Sequence, residues 1–478
     1  METNHLTHLN NNLLSQLSFK SNIKEMECYF LKYREGVCGL NYIYSGNVSK
    51  TQKIIYSDWA AMGKNYIPIE YQIQTEIMPF LSNIDGKFNI TRVASTYAHR
   101  TAQQAIKKHV NASKDDVIVT AYSGTTRMIK RFQQILGFNP LCKTCLNTIV
   151  FVTHMEHYSN KISWESCGLT VRVIKTDASG LVDLNHLQYL LERYNHIPIK
   201  LASVTSCSNV TGIITPYYSI AKMMHRANGY CFVDFACSAP YITIDMHPSE
   251  EEAQLDAIFF SPHKFLGGPG SSSVLVFNKE LYNLNNYDHS KIQANKLSVE
   301  HIENYEDDGS PAILQTIKAA LAIQLKEKMG VDNIAVREYQ LLNILWKSLI
   351  GLPGLNILAP NHKDRLGILS FFIDSLPATK VSRILNLQFG IQCKAGKIAQ
   401  NDYVHKLLYN QNPLALEELK QLGWVRISIH PVMTIQEIRF IGESIATVVE
   451  QCHKWTTIDQ QKIFPEVFKE KIDTLFAL

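Results

Sequence analysis

"AIFFSPHKFLGGPGSSSVLVF", residues 257–277, sets two β-rich apolar runs around a turn that carries Ser261, His263, Lys264 and a glycine cluster. Neither run alternates apolar with polar residues, so each reads as a strand buried on both faces. The turn between them is then the exposed end of a buried strand, and its lysine faces whatever that end faces.

The same theme runs outward from these residues. "DVIVTAY", "NTIVFVT", "TVRVIKT", "IKLASVTS" and "GYCFVDFA" are further apolar runs, separated by helical segments. With the two quoted above they predict an α/β domain with a mainly parallel seven-stranded sheet covered on both faces. Among the helices, "TPYYSIAKMMHRANG" is expected to stop at Gly229, and "PAILQTIKAALAIQLKEKMG" to run from near Pro311 to Gly330. Beyond it, "LGILSFFID" and "VRISIHP" read as strands, and a Thr434-x-x-Glu437 capping box opens an amphipathic helix. The organisation expected is an N-terminal extension over 1–55, a large domain over 56–320 and a smaller α+β domain over 321–478.

Bulk properties narrow the function. The 478 residues carry 47 Lys and Arg against 43 Asp and Glu, a formal charge of +4 with no like-charge block, so nucleic acid is not an expected partner. No apolar stretch approaches the roughly 20 residues of a membrane span. "METNHLTHLNNNLLSQLSFKSN" lacks the pattern of a secretory signal, so a cytoplasmic protein is expected. The ten cysteines read as reduced thiols. Cys142 and Cys145 of "LCKTC" lack a second ligand pair at matching spacing, and no metal site is expected.

In open α/β sheets, ligands gather at the carboxyl ends of the strands. The polar residues there are Ser123, Gly124, Thr125 and Thr126; Glu156 and His157; Ser208 and Asn209; Asp234; and Ser261, His263 and Lys264. Singly, each has an ordinary structural use as a cap, a turn or a core polar group. Together they supply a lysine for a Schiff base, a carboxylate for a pyridine nitrogen and a helix start for a phosphate, which is the set that pyridoxal phosphate (PLP) chemistry needs.

"VDFACSAP" and, 30 residues on from Asp234 to Lys264, "FFSPHKFLGGPG" resemble aminotransferase class V, the fold type I PLP group that includes the cysteine desulfurases. The resemblance extends from about "IIYSDWAAMGKN" to near residue 450. It implies that Lys264 holds PLP, Asp234 pairs with the pyridine nitrogen, His157 stacks on the ring and Asn209 contacts the ring hydroxyl. Gly124, Thr125, Thr126, Ser261 and His263 would hold the phosphate. Ser310 of "DDGSPAIL" stands where the second subunit of a homodimer reaches that phosphate, and Arg426 of "VRISIHP" where an arginine binds the carboxylate of an amino acid substrate.

The pattern breaks in "FGIQCKAGKIAQNDYVHKLL", where alignment sets Ala399 at the place of the desulfurase loop cysteine. A methyl group is no nucleophile. Cys393 lies upstream and reads as a packed thiol of the strand "FGIQC"; Cys237 replaces a polar donor to the cofactor, and Lys394 replaces an arginine. The expectation is a PLP enzyme that acts at the α-carbon of an amino acid, by amino transfer or β-elimination. The alternatives are a cysteine desulfurase or selenocysteine lyase that uses Cys393 or an external thiol, and a non-catalytic binding protein of the same fold.

Overall fold

The computed structural model describes residues 22–40, 42–45, 51–84, 88–138, 147–282, 297–307, 311–374, 376–397, 402–411, 422–455 and 466–477. Seven of its strands form the large sheet: β1 (Asp116–Ala121), β2 (Thr148–Thr153), β3 (Thr170–Ile174), β4 (Ile199–Thr205), β5 (Tyr230–Asp234), β6 (Ala257–Phe260) and β7 (Ser273–Asn278). Their spatial order is β1-β7-β6-β5-β4-β2-β3. β7 alone runs antiparallel, against both β1 and β6. The other pairings are parallel.

The continuous apolar runs are explained by two cores, one on each face of this sheet. Ile118, Phe151, Val204, Val233 and Phe260 point to a core shared with the helices Ile90–His109, Tyr217–Arg226 and Ile313–Met329. Their neighbours Val119, Val150, Phe232 and Phe259 point the other way, onto Phe132 and Trp164. Alternate residues thus face opposite sides and both sides are covered over the inner strands, so apolar residues fill most positions there, while the edge strand β3 is half exposed and keeps Thr170 and Arg172.

A four-stranded antiparallel sheet follows: β8 (Leu355–Ile357), β9 (Ile368–Ile373), β10 (Lys394–Gly396) and β11 (Trp424–Ser428), in the order β8-β9-β11-β10. Helices Val331–Leu349, Ala378–Phe389 and Ile435–Glu450 close its core. The capping box is formed: Glu437 N donates to Thr434 Oγ1 and Thr434 N donates to the Glu437 carboxylate, both at 3.1 Å.

The helix Ile23–Arg34 packs into this same core through Phe30 and Tyr33. Arg34 grips the Glu437 carboxylate with both guanidinium nitrogens, at 2.6 and 2.9 Å. One expectation is corrected at the helix Tyr217–Arg226. Asn228, not Gly229, takes the left-handed conformation after it, with φ of 54°. Gly229 serves a close approach instead, since a Cβ there would lie 2.9 Å from the Lys200 carbonyl oxygen.

Candidate active site

The carboxyl ends of β1, β2, β4, β5 and β6 meet the edge of the smaller sheet, and the polar residues singled out from the sequence collect there. β6 ends in a single tight turn, Pro262–Lys264, where Lys264 N donates to the Ser261 carbonyl at 3.0 Å. A second segment clamps this turn: Gly63 N donates to the His263 carbonyl at 3.0 Å, and Gly267 N to the Lys64 carbonyl at 2.7 Å. Gly63 must be glycine, because a Cβ would sit 2.0 Å from the Phe265 carbonyl oxygen. Burial and the nearby Lys264 charge push the His263 imidazole down to about 4. Among the described residues the Lys264 amine has no hydrogen-bond or ion-pair partner.

Asp234 ends β5 beside Lys264. One of its carboxylate oxygens accepts from Ala236 N at 2.8 Å, and its carbonyl accepts from Ser206 N at 2.9 Å. Burial pushes this carboxyl up, and the Lys264 charge opposes the shift. Cys237 follows on the same turn, 5 % exposed, and the Cys207 thiol pushes that of Cys237 down.

Glu156 braces the end of β2. Its carboxylate accepts from Thr153 Oγ1 at 2.6 Å, Thr205 N at 2.8 Å and Asn160 Nδ2 at 2.8 Å. His157 caps the helix Tyr158–Ser166, its Nδ1 accepting from Ser159 N at 3.3 Å and lying 2.8 Å from Ser159 Oγ. Burial first, then the charges of Lys264, Lys394 and Arg426, push its imidazole down. The neutral ring then carries its proton on Nε2.

β1 leads through Ser123 to Gly124, the N-cap of the helix Thr125–Ile135, which no side chain caps. Thr125 Oγ1 is hydrogen-bonded to Ser261 Oγ, which lies 3.4 Å from Ser273 Oγ, while Thr126 Oγ1 donates to Ser159 Oγ at 2.9 Å. Free helix N–H groups ringed by hydroxyls suit a phosphate.

Arg426, on β11, lies opposite Lys394 on β10 and is 2 % exposed. Its Nη1 donates to the Asn209 carbonyl at 2.8 Å and its Nη2 to Asp58 Oδ1 at 2.6 Å, leaving Nε without a partner. Asn209 sits in a turn built on Ser208 Oγ, which accepts from Val210 N and Thr211 N at 3.1 Å each. Partial burial and the Arg426 charge push the Lys394 amine down. Cys393 is different: it donates to Ser382 Oγ at 3.5 Å, and burial pushes its thiol up to about 11. Ser310, Ala399, Cys142 and Cys145 lie outside the described residues.

These groups fit PLP on the structure's own terms. Among the described residues there is a helix start with no side-chain cap beside hydroxyls, a carboxyl with one oxygen held, an amine with no partner, and a buried guanidinium whose Nε is unpaired. Several contributors were invisible in the sequence reading. Asp58, Ser273 and Gly63 reach the site through contacts between distant segments, though Asp58 and Gly63 stand within "IIYSDWAAMGKN", while Ser159 and Cys207 are each two residues from a predicted site residue, His157 and Asn209.

A family described as Aminotransferase class-V matches residues 55–441. The chain belongs to that family. Its members are PLP-dependent enzymes, so PLP is the cofactor of this chain, and amino acids are the family's substrates. A cysteine desulfurase of Haloferax volcanii is 26% identical over 358 residues, 72% of this chain and 80% of the relative. A probable cysteine desulfurase of Pyrococcus abyssi is 24% identical over 412 residues, 83% of this chain and 94% of the relative. The apo structure of a cysteine desulfurase from Thermococcus onnurineus superposes with a TM-score of 0.67 at 21% identity, covering 83% of this chain and 95% of that one. At that identity the likeness concerns the fold. Among the described residues no helix is long and apolar enough to cross a membrane.

Proposed function

We propose that this class-V enzyme acts at the α-carbon of an amino acid, with Lys264 as its covalent anchor and base. The observation that carries the reading is the convergence of a partner-free Lys264, Asp234 and the uncapped start of the helix Thr125–Ile135 on one set of strand ends. When bound, PLP draws electrons from a bond at the substrate's α-carbon. Asp234 keeps the pyridine nitrogen protonated, and His157 supplies a flat neutral ring. Thr125, Thr126, Ser261, His263 and the Gly124 turn hold the phosphate, with Ser310 contributed from a second copy. Asn209 and Cys237 face the ring oxygen. Arg426 receives the substrate carboxylate, oriented by Asp58 and the Asn209 carbonyl, with Lys394 adding charge. Lys264, the residue that would hold the cofactor, would also serve as the base for the α-proton.

A homodimer completes this reading. Ile67, Tyr71, Met78, Phe80, Phe88 and Ile90 expose an apolar surface that a second copy would cover.

Borohydride reduction of the purified protein, followed by peptide mapping, tests the anchor. A pyridoxyl group on Lys264 is expected; none, or one on another lysine, overturns the assignment. Single amino acids, with cysteine tried first, are then scored by the shift of the visible band. No shift with any of them leaves a PLP-fold binding protein in place of an enzyme.

The relatives' names favour a second reading, a cysteine desulfurase. The packing of Cys393 and its raised thiol argue against persulfide formation there, so this reading calls on an external thiol as sulfur acceptor. It predicts alanine release from cysteine that rises with added thiol and is unchanged in Cys393→Ser.

A further inference from the structure

Two thiols at this site take part in no chemical step of the reactions above, although Cys237 faces the ring oxygen in that reading. Cys207 follows β4 and Cys237 follows β5, which are parallel neighbours with Thr205 opposite Asp234. Beyond the last paired residues the two chains stay joined: Ser206 N donates to the Asp234 carbonyl at 2.9 Å, and Ser206 Oγ lies 2.5 Å from Ser238 Oγ. On these adjoining turns Cys207 follows Ser206 and Cys237 precedes Ser238, so the two thiols flank the serine pair, and both belong to one packed cluster. The remaining described cysteines offer a contrast. Cys393 pairs with a serine hydroxyl and Cys167 with the Gln133 side chain, Cys231 is buried within β5, Cys452 is half-buried, and Cys28 and Cys38 are exposed.

We propose that Cys207 and Cys237 are an oxidisable dithiol in the floor of the cofactor cleft, closed to an intramolecular disulfide by a small peroxide. Thiols beside two serines whose hydroxyls lie 2.5 Å apart, on turns joined by a backbone hydrogen bond, need only a small approach to reach bonding distance. The Cys207 thiol holds the proton affinity of Cys237 down, and the positive charges of Lys264 and Arg426 favour its thiolate. The Cys237 thiolate attacks one peroxide oxygen and the O–O bond breaks, leaving a sulfenic acid and, after proton uptake, one water. The Cys207 sulfur then attacks that sulfenic sulfur. Its proton leaves with the departing hydroxyl as a second water, and the S–S bond is formed. Two thiols are oxidised and one peroxide is reduced.

The disulfide needs no cofactor. Its consequence, withdrawal of Cys237 from the cofactor's oxygen, rests on the PLP reading above.

The test uses the full chain with Cys142 and Cys145 replaced by serine, in cofactor-free and PLP-loaded forms. Each is treated with hydrogen peroxide, denatured, alkylated with iodoacetamide and mapped. The expected result is a Cys207–Cys237 cross-linked peptide lighter by two hydrogen atoms, reversed by dithiothreitol, with Cys393 still alkylated. In Cys207→Ser, and in Cys207→Ala should serine disturb the fold, dimedone should trap a sulfenic acid on Cys237 instead. Full alkylation of both thiols after peroxide overturns the proposal, as does a cross-link to another cysteine. Oxidation is also expected to weaken PLP binding at least about tenfold; a cross-linked protein of unchanged affinity overturns the functional consequence. A cross-link in a protein that never binds PLP overturns the PLP reading and leaves the dithiol standing.

Discussion

The two sides of the cleft are built differently. On the side of the large sheet, the two carboxyl groups are tied to their neighbours: Glu156 accepts from two strand ends and a helix, and Asp234 receives bonds at its carbonyl and its side chain. On the smaller-sheet side, Arg426 Nε has no partner among the described residues, Lys394 lies on a short edge strand, and Cys393 is turned into packing. The large-sheet side is held by a dense set of hydrogen bonds, whereas the smaller-sheet side keeps a donor in reserve. In the function proposed above, the first side would hold the cofactor and the second would choose the substrate.

Substitutions on both sides sharpen or break this contrast. Lys264→Ala is expected to remove the lysine-bound absorption and cut kcat/KM by at least about 10²-fold, the scale of a lost proton-transfer group; a variant that keeps the band sinks the assignment. Gly63→Ala acts through the clamp alone. Its Cβ must push the Lys264 turn aside, so a destabilisation of about 1–3 kcal/mol is expected in thermal melts, with weaker PLP binding. An unchanged melting temperature would show that the clamp yields freely.

Arg426→Lys keeps the charge and loses the fork that spans Asp58, Asn209 and the substrate. KM should rise about tenfold with kcat less affected, the mark of lost ground-state binding. A fall in kcat alone would move Arg426 to the chemical step. The smallest effect is expected at Cys393. Cys393→Ser should leave kcat/KM unchanged, and alkylation of the native thiol should stay slow until the pH nears about 11. Collapse of activity in that variant would restore it as a nucleophile.

The seven strands were legible because their apolar runs are unbroken, and the helices because they obey local rules of capping and periodicity. Lys264, Asp234 and the "SGTT" turn were legible as strand ends. Asp58 was not. It meets Arg426 across 368 residues of sequence, and no local pattern encodes such a contact. The N-terminal stretch was equally opaque, because its apolar positions match a core supplied by the far end of the chain. Asn228 misled for a different reason: asparagine and glycine both adopt the left-handed conformation, and here the first of the pair took it.

The bond between Arg34 and Glu437 bears on how the protein is made. Glu437 also completes the capping box of the helix Ile435–Glu450, so one carboxylate serves two structures drawn from opposite ends of the polypeptide. A ribosome delivers Arg34 long before Glu437. The large sheet has all of its strands by Asn278 and is free to form during synthesis, while the helix Ile23–Arg34 waits, its apolar face uncovered, for the last helix of its core. Nascent chains stalled before residue 435 should therefore be the form of this protein that chaperones hold.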